Sequence, residues 1–600
     1  MTGVSPSLDY CQSSLTPICD NCTHLASLGR SPNLSVNREG STIILNSTTS
    51  SIHSPILRLY PLNNTNPRSE PDHSSISPDI YIFAQLRAWL QNCDQTHSCH
   101  GRGKRSLPTR LLNVNPSSNP DDLRLDHRAK IKGDKFIALS HCWGQLDEDK
   151  SPLWRTKRGH LRPHIRDLRY GDIRNKLREA FEVIREVGLQ NLRHTFQGEL
   201  ADRSVGFKLS ELPQTFMDAI EVVRQLGIQY LWIDSLCIIQ DSDHDWEKES
   251  KRMEDIFASA YCTIAATVAP NSRSGFLGGR EMNKGLYVRN NSGDSVYITT
   301  NLADFDKDVN DTSQAPLNTR AWVMQERLLS SRTIHFSKNQ VYGECGEGVY
   351  AGDKIWLQSL PGSKKYFQLD PQFPDRLRQT GFGRTIDFIE ALIEDYSCRK
   401  LTKPSDRPVA VAGLMDRIAK ALPCRIHYGI VGSYLQRTLL WQRSDKQVIE
   451  RIKYDRSVPS WSWMAYEGAV RFIHAKYKWG NLDLFTNQIE FDEKALTVSI
   501  WKFKDLRITI ETGNGDEDAQ LFDTNKSKKG WISFDREVDV SAIPKMVIVA
   551  KLGDHATGLR YFALFVKLVS PDANEYERLG VGRIAGDCDM ELVGEGCRIC

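Results

Sequence analysis

The order of apolar runs between residues 136 and 268 limits the fold of this chain more than any other feature. Phe136-Ile-Ala-Leu-Ser140 is a short apolar run ending in the polar turn His141-Cys-Trp-Gly144, as a buried strand does. Residues 212–227 then place Leu212, Phe216, Ala219, Ile220, Val223 and Leu226 at helical spacing, with Pro213 suited to the first turn and Gly227 to the stop. Tyr230-Leu-Trp-Ile-Asp234 follows as a strand apolar on both faces. Residues 245–260 predict a second helix with Trp246, Met253, Ile256, Phe257 and Ala260 on one stripe, and residues 261–268 predict a third strand. Strand, helix, strand, helix, strand with short connections predicts an α/β fold on a parallel sheet with right-handed crossovers. A charged insertion, 145–210, separates the first strand from the first helix. Its residues 151–200 hold 11 Lys+Arg against 6 Asp+Glu, a net +5, which suits a solvated helical excursion or a phosphate-binding surface.

Outside that core the chain is less uniform. Six hundred residues allow two to four domains at roughly 150 residues each. The balance of 78 Lys+Arg against 75 Asp+Glu, net +3, is too even for a whole-molecule field, so no nucleic-acid partner is expected. There is no apolar run of the roughly 18 residues a membrane span needs and no basic, apolar leader, so the expectation is a soluble, cytoplasmic protein whose sequons carry no weight. Residues 31–80 hold 11 Ser, 6 Asn, 4 Thr and 6 Pro, a composition that predicts local disorder. Residues 80–90 predict an amphipathic helix, and a polar stretch to about 134 reads as a surface connection. Past Glu347, residues 385–396 and 408–420 look helical, and 480–570 alternate apolar runs with turn residues as antiparallel strands do. The domains expected are therefore an N-terminal lead, 1–134, a recognisable α/β domain, 135–327, and a helical and β-rich C-terminal region, 328–600.

Open parallel sheets bind ligands at the C-terminal ends of their strands, where Ser140, His141, Asp234 and Gln240 all fall. An acid ending an apolar strand, as Asp234 does, must face a partner such as Arg320 or Arg327, or a cleft. Trp143, Trp232, Trp246 and Trp322 are either stacking faces for a ring or core residues. Arg320 and Gln325-Glu326-Arg327 suit phosphate binding or a fork onto Asp234 or Asp241. Ser140-His141-Cys142 is no direct dyad, because neighbours on a strand point to opposite faces. Fourteen cysteines are too sparse for a disulfide framework and read as reduced thiols. Cys19, Cys22, Cys93 and Cys99, with His97, nevertheless have the ligand types and the C-x₂-C bite of a structural zinc site. Cys597-Arg-Ile-Cys600 is set aside because chain ends are seldom ordered. No phosphate loop or H-E-x-x-H occurs, and Gly580-Val-Gly-Arg-Ile-Ala585, with no room for a following βαβ unit, is a chance fingerprint.

The motifs, in order and spacing, resemble the fungal heterokaryon incompatibility (HET) domain family. They run from Phe136–Gly144 through Leu212-Pro-Gln-Thr-Phe-Met-Asp-Ala-Ile220, Tyr230-Leu-Trp-Ile-Asp-Ser-Leu-Cys-Ile-Ile-Gln240 and Asp245-Trp-Glu-Lys-Glu249 to Arg320-Ala-Trp-Val-Met-Gln-Glu-Arg327. Flanking pieces, Leu107-Pro-Thr-Arg110 and Pro459-Ser-Trp-Ser-Trp463, also look like those of large HET-domain proteins. The sequence departs from the family at His141, where a tyrosine is usual, and in the long insertion. The resemblance implies a part in nonself recognition and programmed cell death. It also implies a distant similarity to the TIR fold, a flavodoxin-like layer some of whose members cleave NAD. On that implication Glu249, shortly after Trp246, and Asp234 are the catalytic carboxylates, and Ser140, Trp143 and Gln240 bind NAD as substrate. Glu249 otherwise reads as a helix-surface charge paired with Arg252. The rival implication is a non-catalytic module that works by homo-oligomerisation or by binding a partner incompatibility protein.

Overall fold

The computed structural model describes most of residues 78–144, 206–278, 315–357, 382–444, 450–473 and 482–600, with Arg155, Thr156 and Arg203, and the backbone of strands within 34–61 and 286–300. The rest of the 145–210 insertion lies outside the described residues. A ten-stranded mixed sheet organises the first half of the molecule. Its members are β1 (Arg110–Asn113), β2 (Asp122–His127), β3 (Ile137–Ser140), β4 (Phe207–Lys208), β5 (Tyr230–Trp232), β6 (Cys262–Ala265), β7 (Arg332–Phe336), β8 (Val341–Cys345), β9 (Gly348–Ala351) and β10 (Ile355–Leu357). They lie in the order β10-β9-β8-β7-β6-β3-β5-β1-β2-β4. The middle block, β7-β6-β3-β5, is parallel, with Ile137 in register with both Leu231 and Cys262. Antiparallel strands flank it on both sides. The three apolar runs read from the sequence are therefore parallel neighbours, and the first strand sits between the second and the third.

Helices cover both faces of that block, as its wholly buried strands require. On one face Ile137, Leu139, Leu231 and Ile264 pack against α2 (Gln214–Gln225) and α1 (Pro78–Thr96) through Phe216, Ile220, Val223, Leu86 and Trp89. On the other, Phe136, Ala138, Tyr230 and Trp232 meet Met253, Ile256 and Phe257. Alternation along β3 thus aims Ser140 at one layer and His141 at the other. The single helix expected at 245–260 is two. Beyond the short α3 (Asp234–Cys237), α4 (Asp243–Ser250) and α5 (Met253–Ser259) are separated at Lys251 and Arg252, and Trp246 is 39% exposed and leaves the stripe. The break turns the Arg252 guanidinium toward Leu107 O (2.9 Å) and Thr109 Oγ1 (2.7 Å).

Two further expectations change. Within 31–80, Leu34–Glu39, Thr42–Ser47 and Ile56–Pro61 form an antiparallel sheet with Leu286–Arg289 and Ser295–Thr300, so disorder does not hold for those strands. The first two of these strands pair with their sequence neighbours, and Ile56–Pro61 adds a partner from far along the chain, Ser295–Thr300, for which local composition carries no signal. The C-terminus is ordered, because Met590–Ile599 pairs with Leu496–Phe503 and Ser460 donates from its N–H (3.0 Å) and hydroxyl (2.5 Å) to Cys600 O. The fingerprint at 580–585 lies inside the antiparallel strand Glu575–Ala585.

The C-terminal region combines α7 (Phe382–Ser397), α8 (Val409–Ala421) and a second ten-stranded sheet. It joins the first half through α6 (Ala321–Leu329). Leu329 packs into the layer under α5, while Ala321, Met324 and Leu328 belong to the core built from Ile389, Ile393, Val411 and Leu414. The described cysteines are all free, and among the described residues no helix is long and apolar enough to cross a membrane.

Candidate functional site

The direction of winding reverses between β3 and β6, and the chain that leaves β3 there, 141–144, is held open by its neighbours. Gly144 has φ +86°, and a Cβ on it would lie 2.5 Å from Asn271 Cβ, so the turn admits only glycine. The Ser272 hydroxyl donates to the carbonyls of Cys142 and Trp143, both at 3.3 Å. That loop is in turn tied to α2, where Asp218 accepts from the N–H groups of Phe276 (2.5 Å) and Leu277 (3.0 Å). The motif residues Gly144 and Asp218 therefore shape the crevice at the strand ends without entering it.

Asp234 follows β5 and stands beside that turn. Its Oδ2 accepts from Trp143 Nε1 at 2.9 Å and its Oδ1 from the Ser235 N–H at 2.6 Å, with His141 Nδ1 3.9 Å from Oδ1. A quarter of the side chain, 25%, remains exposed. The Arg155 guanidinium lies 4.4 Å over the Trp143 ring, adding a cation to the same rim. The Gln240 side chain donates to the carbonyls of Asp234 (3.2 Å) and Ile238 (3.0 Å), so it steadies the Asp234 turn.

On the α6 side, Arg320 donates to His141 O at 2.6 Å. The Glu326 carboxyl comes from α6 to lie near Ser140, whose hydroxyl does not reach hydrogen-bond geometry with it. Burial pushes the Glu326 carboxyl up to about 7, against the opposing pull of the Arg320 cation and with the Asp234 charge adding to the rise. His141 packs edge-on against Phe216 at 5.0 Å, and its Nε2 has no hydrogen-bond partner among the described residues. Burial pushes its imidazole down to about 4, so it is neutral at pH 7. A carboxyl poised near neutrality, a neutral imidazole and a part-exposed carboxylate thus converge at one switch point of a parallel block. Perturbed groups gathered in such a crevice mark a functional-site candidate.

The remaining sequence-derived candidates separate from this cluster. Glu249 is 1% exposed, and its Oε1 accepts from Thr109 Oγ1 at 2.6 Å and stands 3.4 Å from Arg252. It binds α4 to the 107–110 segment, as Asp245 does through Arg110, and shares no bonding partner with Asp234. Arg327 does not fork onto Asp234 or Asp241; its Nε and Nη2 grip Glu344 at 2.9 and 3.0 Å. Trp232 is core, and Trp322 packs between two cores. Sequence reasoning missed Glu326 as an ionisable site group. The signal available was an acid one helical turn from the apolar Val323 and Leu329. Of the zinc candidates, Cys93 lies beside His97 and, unforeseen, beside Cys345; Cys19, Cys22 and Cys99 lie outside the described residues.

A parallel block with helices on both faces and an ionisable cluster at its strand ends defines an α/β domain with a crevice-type site. Residues 136–326 match the family model described as Heterokaryon incompatibility protein (HET), so this part of the chain is a HET domain, about a third of the whole. No curated protein and no solved structure gives a significant match.

Proposed function

We propose that the chain acts in heterokaryon incompatibility as a death-inducing component inside the cell, and that the Asp234 cluster hydrolyses the nicotinamide–ribose bond of NAD. The observation that carries this reading is the placing of Asp234, Trp143 and Glu326 together at the reversal between β3 and β6. The parallel block runs second, first, third, fourth in chain order, the order of flavodoxin-like sheets, which bind their ligand at such a reversal. In the reaction, water oxygen bonds to ribose C1′ as the C1′–N bond breaks. The bonding pair returns to the pyridinium ring, nicotinamide leaves neutral without an acid, and a carboxylate takes the proton released by water. Asp234, part-exposed and held by the Trp143 indole, steadies the oxocarbenium-like charge, the task carboxylates perform in glycoside hydrolysis. Arg155 supplies positive charge toward the pyrophosphate.

Following nicotinamide release from NAD by the purified chain tests the reading. Asp234→Asn is expected to lower turnover by about 10²–10⁴-fold, and Glu249→Gln to leave it near the wild-type rate. Loss in Glu249→Gln with retention in Asp234→Asn would transfer the role to Glu249. A second reading, a non-catalytic module acting by self-association or through a partner incompatibility protein, is favoured by the burial of Ser140, His141 and Glu326. Cell killing that persists in Asp234→Asn without any nicotinamide release selects that reading over the enzyme.

A further inference from the structure

Away from the strand ends, α1 carries Cys93, and His97 follows its last residue with its N–H donating to Cys93 O at 3.3 Å, so the two side chains lie one turn apart on the same side. Cys345, the last residue of β8, comes to the same place from the end of a strand paired on both sides. His97 Nδ1 lies 3.2 Å from Cys93 Sγ and 3.5 Å from Cys345 Sγ, and the three ligand atoms are all within 4.8 Å of one another. Both thiols are buried, at 0% and 1% exposure. A tetrahedral zinc ion, with Zn–S of about 2.3 Å and Zn–N of about 2.0–2.1 Å, sets sulfur and nitrogen ligands about 3.6 Å apart and two sulfurs about 3.8 Å apart. The two sulfur–nitrogen edges lie close to that figure, and the sulfur–sulfur edge is within 4.8 Å. A thiol–imidazole hydrogen bond accounts for one edge only, because a single Nδ1 has one lone pair or one proton to offer.

We propose that Cys93, His97 and Cys345 hold a structural zinc ion that fastens α1 to β8. Two thiolates and an imidazole suit zinc, which is borderline-soft, and supply three of the four positions of a tetrahedral site. The ion joins a seam that other contacts already define. Arg332, the residue opposite Cys345 in the β7–β8 pair, reaches Asp94 of α1 at 2.6 Å. Because Cys345 is some 250 positions from the helix, the metal closes a long stretch of chain, and its binding free energy adds to the stability of the fold.

Elemental analysis of the reduced, full-length chain is expected to find about one zinc per molecule, and X-ray absorption of the same sample two sulfurs at about 2.3 Å with nitrogen at about 2.0–2.1 Å. Cys345→Ser is expected to lose the metal or to weaken its binding at least about tenfold, and Cys19→Ser/Cys22→Ser to keep it. Metal-free protein, or zinc retained in Cys93→Ser/Cys345→Ser, overturns the proposal. So does loss in Cys19→Ser/Cys22→Ser alone. Should the Cys345 variant fail to fold, the absorption spectrum of the wild type decides, since a shell of four sulfurs or one without nitrogen excludes this site.

Discussion

Glu326 and His141 flank the end of one strand on opposite faces, and burial moves their titrations in opposite directions. Folded Glu326 keeps a proton up to about 7 that the unfolded chain releases near 4.5. Its contribution to stability therefore falls as pH rises through that window. Glu326→Gln removes the slope, and between pH 4 and pH 8 it is expected to gain about 2–3 kcal/mol relative to wild type in urea unfolding. For His141 the sign reverses. The folded imidazole resists protonation down to about 4 against 6.5 when unfolded, so its contribution is complete above 6.5 and lost as pH falls toward 4. His141→Gln is expected to flatten the acid limb of the same titration, by up to about 3 kcal/mol at pH 4. Asp234 was legible from the sequence as an acid ending an apolar strand. Glu326 was not, because an acid on a helix acquires its environment from whatever packs over it.

At the scale of elements, α1 meets the face of the sheet at β8, where no side chain intervenes. A Cβ built on Gly343 of β8 would stand 2.7 Å from the Trp89 ring, a contact with no room to give. Gly343→Ala is expected to cost about 1–3 kcal/mol by overpacking, read as a lower denaturation midpoint together with faster amide exchange in α1. Unchanged exchange in α1 would show that the helix does not depend on this contact. The same scale explains the divided helix at 245–260. Helical periodicity registers an apolar stripe but is blind to Arg252, whose guanidinium reaches Leu107 and Thr109 only if the helix breaks. Strand identities read well, because β3, β5 and β6 are apolar on both faces, a pattern that both-sided burial imposes.

The whole molecule is tied together by buried ion pairs that no local pattern announces. Arg578, 0% exposed, reaches Asp535 at 2.9 Å and the carbonyls of Leu439 (2.9 Å) and Trp441 (2.5 Å), joining the C-terminal sheet to the segment beneath it. Arg578→Met is expected to destabilise by about 3–5 kcal/mol, because it leaves the Asp535 carboxylate buried without a counter-charge. Adding Asp535→Asn should recover part of that loss in chemical denaturation, and no recovery would place the cost in packing alone. The match of residues 136–326 to the HET family, the α/β class, the parallel relation of three strands and the candidacy of Asp234 were determined by the sequence alone, since apolar periodicity and motif order are local. The tertiary structure alone decided that Glu326 and His141 meet at one strand end, that Glu249 belongs to the 107–110 segment, and that Cys345 joins Cys93 and His97. Each of these depends on which distant segments pack together, and that is set by the summed burial of the whole chain, which no short stretch of sequence contains.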